Sequence, residues 1–251
     1  MTLITHVTGP VVLSRLRWVL GQVVVVAVGI VVYFRIRGIT DASPQVAHAH
    51  ASEIVRAEHW LGIDVERAVQ APVASSEALA TAANWVYVWG HWPVILATMV
   101  WLVWHHRDAF RRLRDGMLVS GFLGMVVFVS FPVAPPRLVD LDLVDTVTER
   151  SEAYRYLQPP AFVNQYAAMP SLHAGWDLLV GLAIVSAATT VGFRLVGLLM
   201  PLLMVWAVVA TANHYVLDVV AGIALVLIGH AMALRLERRR AKHTTAGADH
   251  R

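Results

Sequence analysis

Cysteine is absent from this chain, which excludes disulfides, thiolate metal sites and cysteine nucleophiles together. Lysine is nearly absent, with Lys242 the single example, so any cation serving an anion elsewhere must be arginine or histidine. Charge as a whole is scarce. Asp, Glu, Lys and Arg make up 15% of residues, where a water-soluble domain carries about a quarter. No internal repeat or low-complexity segment is visible. A cleavable leader is not expected either, because Arg15 and Arg17 precede an apolar run of span length with no small-residue cleavage site after it.

What the chain has in quantity is apolar sequence, 57% of its 251 residues, with a mean hydropathy of +0.60. Apolar runs approaching 20 residues read as transmembrane helices. Six are expected, at about 18–33, 80–104, 116–133, 171–190, 195–212 and 215–235. Trp85, Trp89, Trp92, Trp101 and Trp104 flank the second as an interfacial aromatic belt. Between the first and second spans, Ile54, Leu61, Val65 and Val69 fall near one helical face, with Glu53, Glu58 and Arg67 elsewhere. Gly62 followed by Asp64 marks one short helix ending and another being capped. Amphipathic helices at the membrane surface fit this stretch, with a small solvated helical pair as the alternative. The expected fold is therefore all-α, a six-transmembrane-helix bundle with short interfacial helices in the outer loops. Its parts are 1–79, the first span and interfacial segment; 80–240, a catalytic core of five spans; and 241–251, a disordered cytoplasmic tail.

Six spans put both termini on one side, and thirteen of the 20 Lys and Arg residues fall there. Arg35, Arg37, Arg56, Arg67, Arg137, Arg150 and Arg155 fall on the other. The positive-inside rule then makes the protein a multi-pass cell-membrane protein with cytoplasmic termini. The pI of 9.6 reflects that orientation and not nucleic-acid binding.

Two histidine stretches interrupt the apolar pattern at the outward edge. His214 and Asp218 are four apart at a helix start, so they share a face. A carboxylate accepting one imidazole N–H fixes the tautomer and leaves the other nitrogen a better base or nucleophile. Ionisable residues in the first turns of a span are costly, which points to function. Pro170-Ser171-Leu172-His173 opens the fourth span, where free backbone N–H groups and the dipole favour an anion. Ser171 either caps that helix or donates to the anion. Arg137, in a proline-stiffened segment on the same side, can grip phosphate oxygens in a bidentate way.

Phe131-Pro132-Val133-Ala134-Pro135-Pro136-Arg137-Leu138, then Asn164 through Ala168-Met169-Pro170-Ser171-Leu172-His173, then His214-Tyr215-Val216-Leu217-Asp218 together resemble the three motifs of the type 2 phosphatidic acid phosphatase superfamily. The resemblance spans roughly residues 80–235 and is nearer to the branch containing inositol phosphorylceramide synthase and its bacterial relatives. It implies His214 as nucleophile, Asp218 as its orienting acid and His173 as the acid for the leaving group. It implies Arg137, Ser171 and Leu172 as phosphate-binding residues, joined by Asn164 and Tyr166. No cofactor and no metal are implied. The chain departs from the pattern twice, with Ser130 where a lysine is expected and Val208 where an arginine is expected. A cation-poor clamp suits a diester or sugar-linked phosphate and leans toward transfer to an alcohol over hydrolysis.

Asp177, one turn beyond His173, and His91, in Gly90-His91-Trp92-Pro93, are supporting candidates. Asp140, Asp142 and Asp145 read as solvated loop acids, and His48, His50, His105 and His106 as loop or interface residues. The expected activity is a lipid phosphate phosphotransferase acting through a phosphohistidine, with a phospholipid or polyprenyl phosphate as substrate. A lipid phosphate phosphatase is the alternative, and a lipid transporter with polar residues along a mid-membrane path is the rival of another class.

Overall fold

The protein was analysed as a computed structural model that describes residues 9–39, 43–150 and 165–248. Among these residues the chain is helical, and its one strand-like feature is an isolated parallel bridge between Val133 and Ala167. In order the helices are α1 (Gly9–Ile39), α2 (Pro44–Leu61), α3 (Glu66–Ala74), α4 (Glu77–Trp89), α5 (Trp92–His105) and α6 (Arg107–Ser130). A 3₁₀ turn (Pro136–Leu138) and α7 (Thr146–Arg150) follow. The chain closes with α8 (Leu172–Ala187), α9 (Val191–Ala210) and α10 (Val216–Ala248).

Helices α1, α6, α9 and α10 are each long and apolar enough to cross a membrane. Their outer faces carry exposed rows such as Val24, Val28 and Val31 on α1 and Leu198, Leu199, Leu202 and Leu203 on α9. In a soluble protein such patches would aggregate; against lipid tails they are at home. The chain is a multi-pass membrane protein. Six spans, however, are not what the helices give. The expected second span is two helices, α4 and α5, bent by 42°. Pro93 lacks an N–H, and its ring would strike the carbonyl four residues back, so α4 cannot run on into α5. Gly90 ends α4 with its N–H bonded to the Trp85 and Val86 carbonyls, and a Cβ there would overlap the Val86 carbonyl. Helix α8 has 16 residues, a rise of about 24 Å against a hydrocarbon core of about 30 Å. The described helices thus count as four spans, or five with the bent pair taken as one.

Helices α6, α8, α9 and α10 pack into the bundle around Leu172, Trp176, Leu179, Val180 and Val226. At one end, Arg112 forms a bidentate pair with Glu237 at 3.0 and 3.1 Å, and the buried Asp115 holds Arg114 and Arg240. That ties the start of α6 to the far part of α10. The other end carries the site. Helix α2 lies over it, burying Ala47, Ala51, Ile54 and Glu58, spaced as one stripe of a 3.6-residue helix. The apolar face therefore differs from the one expected. Leu61 and Val65 are exposed and Glu58 is 1% exposed, because this carboxylate has backbone donors to meet beneath it. Helix α10 continues past Arg240 to Ala248.

Candidate active site

Main-chain hydrogen bonds knit the three motif segments together. The Val133 N–H donates to the Tyr166 carbonyl at 2.7 Å, and the Ala168 N–H to the Val133 carbonyl at 3.2 Å. The Arg137 N–H donates to the Ala212 carbonyl at 3.0 Å, and the Ser171 N–H to the Asp218 carbonyl at 2.9 Å. Buried Tyr215 donates its hydroxyl to the Ala134 carbonyl at 3.1 Å. Segments far apart in sequence, by as many as 81 residues, are thereby fixed relative to one another. Helix α2 adds a clasp, with ring nitrogens of His50 and His48 bonded to the Pro132 and Leu138 carbonyls at 2.8 and 2.9 Å.

His214 sits on the tight turn between α9 and α10. Ala212 holds a left-handed φ of 54° there, a strained choice for a residue with a Cβ. The Asn213 and His214 N–H groups both donate to the Val208 carbonyl at 3.1 Å. His214 Nδ1 lies 2.8 Å from the Ala168 carbonyl and must donate to it, since a carbonyl only accepts. The tautomer is thereby fixed with Nε2 bearing the lone pair. Asp218 Oδ2 stands 3.5 Å from the same Nδ1, an ionic contact longer than a good hydrogen bond. Its direct donor is instead the Tyr215 N–H at 2.9 Å. The expected histidine–acid pair is present, with the direct hydrogen bond passed to a backbone carbonyl.

His173 opens α8. Its ring stacks on Tyr87 with centroids 4.6 Å apart and an interplanar angle of 19°. It lies 4.2 Å from the His91 ring and 6.1 Å from the His214 ring. Ser171, fully buried, accepts the Ala174 N–H as a long cap at 3.5 Å. The Leu172 side chain turns into the core beside Gly124, so what it offers a ligand is its N–H in the first turn of α8. Arg137 is joined to the turn that carries His214: Nη1 donates to Asn213 Oδ1 at 2.6 Å, while Nε pairs with Asp145 at 3.2 Å. Tyr166 presents its ring edge-on to His48 at 6.2 Å. Asn164 lies outside the described residues. His91 Nδ1 and Asp177 Oδ1, both buried, are 2.7 Å apart.

Sequence reasoning missed the two acids under the turn. Glu58 accepts the Leu217 N–H at 2.7 Å and Glu66 the Val216 N–H at 3.1 Å. With Asp218 on the Tyr215 N–H, three successive amides at the start of α10 each meet a carboxylate from a different place in the chain. Helix starts leave such N–H groups without intrahelical partners, and their dipole favours negative charge. Burial pushes the Glu58 carboxyl up to about 8, despite the Leu217 N–H acting to lower it, with the neighbouring Glu66 carboxyl adding to the rise. Asp145, expected as a solvated loop acid, instead pairs with Arg137 and accepts the Thr148 N–H.

A family model described as the PAP2 superfamily matches residues 52–232, which takes in all three motif segments. The chain belongs to the PAP2 superfamily. Among solved structures this PAP2 protein is similar to that titled "Crystal structure of Aquifex aeolicus LpxE", at 14% identity and a TM-score of 0.53. The match covers 69% of this chain and 94% of that one. No curated protein sequence matches. The PAP2 protein is thus an enzyme of the phosphatase type, with a site built from the ends of helices that meet at one edge of the bundle.

Proposed function

We propose that this PAP2 protein hydrolyses a lipid phosphate ester through a phosphohistidine on His214. In the first step the His214 Nε2 lone pair attacks phosphorus and the bond to the leaving oxygen breaks, while His173 gives that oxygen its proton. In the second, water attacks phosphorus, the phosphorus–nitrogen bond breaks, and His173 takes a proton from the water. Asp218 stabilises the charge that develops on the His214 ring. Arg137 and the start of α8, with Ser171 and the Leu172 N–H, receive the phosphoryl oxygens. The observation that carries this reading is the fixed His214 tautomer, held by the Ala168 carbonyl, with a second imidazole 6.1 Å away. Rapid-quench labelling with a ³²P-labelled lipid phosphate should leave acid-labile label on the wild type and none on His214→Ala. Intact turnover without label would sink the covalent step, and an active His214→Ala would remove His214 as nucleophile.

One observation favours a second acceptor. Arg137 shares its charge with Asp145, and Ser130 and Val208 stand where the family pattern has cations. A phosphate with a single charge suits such a clamp, as in a phosphodiester donor whose head group passes to an alcohol. This is the inositol phosphorylceramide synthase-like reading. Incubating the enzyme with phosphatidylinositol, polyprenyl phosphate or phosphatidic acid, with and without an acceptor alcohol, separates the two. An alcohol-linked phosphate product supports transfer; free phosphate or phosphoinositol alone supports hydrolysis. With the short α8 counted as a further crossing beside the four long helices and the bent α4–α5 pair, both termini fall on one side. On that reading we place them in the cytoplasm and the site on the outer face of the cell membrane, on the strength of the arginine distribution.

A further inference from the structure

Behind His173 the site contains a second histidine–carboxylate pair that the reaction just described does not use. His91 occupies the break between α4 and α5, and Asp177 lies one turn into α8 from His173. His91 is 2% exposed and Asp177 fully buried. Their 2.7 Å contact makes Nδ1 the donor and Oδ1 the acceptor. Asp177 Oδ2 has no hydrogen-bond partner among the described residues. A buried carboxylate held by one imidazole N–H is costly unless a positive charge stands on or beside that pair. The rings around His91 are Trp92 at 5.2 Å, Trp176 at 6.2 Å and His173 at 4.2 Å. Besides His91 itself, His173 is the ring among these that can carry a positive charge, and it is the one beside His214.

We propose that His91 and Asp177 are positioning residues that hold His173 protonated and fixed as the leaving-group acid. The site then has two histidine–carboxylate pairs, His214 with Asp218 for attack and His173 backed by His91 and Asp177 for the proton. This rests on reading His173 as the acid. Among the described residues the groups facing His173 include Tyr87 from α4, His91 from the break, and His214 with Asp218 behind it, with Asp177 one turn along its own helix. Asp177 is joined to the His173 ring through His91, which contacts both. In turnover His173 gives its proton to the leaving oxygen and regains one from water, and the pair's charge is unchanged.

The test compares two esters over pH 5 to 9: phosphatidic acid, whose alkoxide must be protonated to leave, and p-nitrophenyl phosphate, whose phenolate leaves without a proton. In kcat/KM, which covers the steps up to release of the leaving group and not the water step common to both esters, His173→Ala should lose far more on phosphatidic acid than on p-nitrophenyl phosphate. Asp177→Asn should follow it, losing about 10- to 100-fold on the first ester and under about 3-fold on the second, with the alkaline limb of kcat/KM moved to lower pH. His91→Gln, which can still donate to Asp177 and so keeps the charge, should leave that limb in place. Equal loss on both esters by Asp177→Asn with an unmoved limb would mean packing alone and overturn the proposal. If Asp177→Asn does not fold, a His91→Gln enzyme with a moved limb overturns it instead. Should His173→Ala itself fail to discriminate between the esters, the reading of His173 falls and takes the proposal with it, and that arm identifies the cause.

Discussion

Replacing Gly222 with alanine tests whether the closeness of α8 and α10 sets catalysis as well as packing. Gly222 is one turn beyond Asp218, where α10 crosses the start of α8. A Cβ there would overlap the Ser171 carbonyl oxygen and stand 2.8 Å from its carbonyl carbon and 3.1 Å from its nitrogen. Carbon atoms rest at about 3.5–4.0 Å, so the helices must part by about 0.7–1.2 Å. The obstacle is backbone and cannot rotate away. The displaced segment is the one that bonds Ser171 N–H to the Asp218 carbonyl at 2.9 Å and carries His173. It moves against the turn that carries His214. Overpacking of this kind costs about 1–3 kcal/mol of stability, and a shift of about 1 Å between reacting groups costs on the order of 100-fold in rate.

Gly222→Ala should therefore fold with a lowered melting temperature in detergent while kcat falls by about two orders of magnitude and KM changes little. Gly192→Ala is the control, since a Cβ at Gly192 meets nothing within 4 Å, and it should match the wild type in both measurements. A Gly222→Ala enzyme that retains more than about a third of wild-type kcat, whatever its melting temperature, would refute the link between this approach and the chemistry.

Two further outcomes follow from the residues around the site. Because burial raises the Glu58 carboxyl to about 8, its protonated form supports the fold fully below the ordinary carboxylate range, and that support is lost as pH rises through about 8. Wild-type thermal stability should fall between pH 5 and 8, by at most about 1.4 kcal/mol per pH unit from this group, and Glu58→Gln should flatten the slope; identical slopes would disprove it. The absence of cysteine makes topology directly readable. A cysteine introduced at exposed Trp60 should react with a membrane-impermeant maleimide in intact cells, one at Lys242 only after lysis, and the reverse pattern would invert the proposed orientation.

The candidate site residues can be read from the sequence because each motif is local: His214 with Asp218, His173 with Ser171, and Arg137 among prolines. Their meeting is carried by backbone bonds among residues 133, 166, 168, 212 and 218, which any side chain would permit and no residue pattern announces. The break at Gly90-His91-Trp92-Pro93 was visible as letters, yet a 25-residue apolar run outweighed it, and the bend decides what His91 touches. The sequence pattern sets Glu58 off the apolar face, although its spacing from Ala47, Ala51 and Ile54 puts it on the buried one. A glutamate in such a stripe contradicts hydrophobic patterning until the unpaired N–H groups of α10 are known, and those are supplied by a helix some 160 residues further on. Asp145 reads as a solvated loop acid for the same reason: its partner Arg137 is local only after the loop folds.

The two missing cations take on a physical meaning once the surroundings of their positions are known. Ser130 donates to the Val126 carbonyl of its own helix at 2.7 Å, so it finishes α6. Val208 is fully buried, packed in the cluster with Tyr87, Met204 and Val219, while its carbonyl holds the Asn213 and His214 N–H groups. An arginine at that position would have to bury a guanidinium in an apolar cluster. Among the described residues, the charged groups near the turn include Arg137 on one side and Asp145, Asp218, Glu66 and Glu58 on the other. A dianionic phosphate monoester meets a less favourable field here than a phosphate carrying one charge. Protonation of Glu58 lessens that disadvantage, as does a proton resident on His173. On the proposed mechanism, the two histidine–carboxylate pairs and the acids under α10 bear on one quantity, the charge the site presents to phosphorus. In a clamp this poor in arginine and lysine, that charge is set by where protons reside.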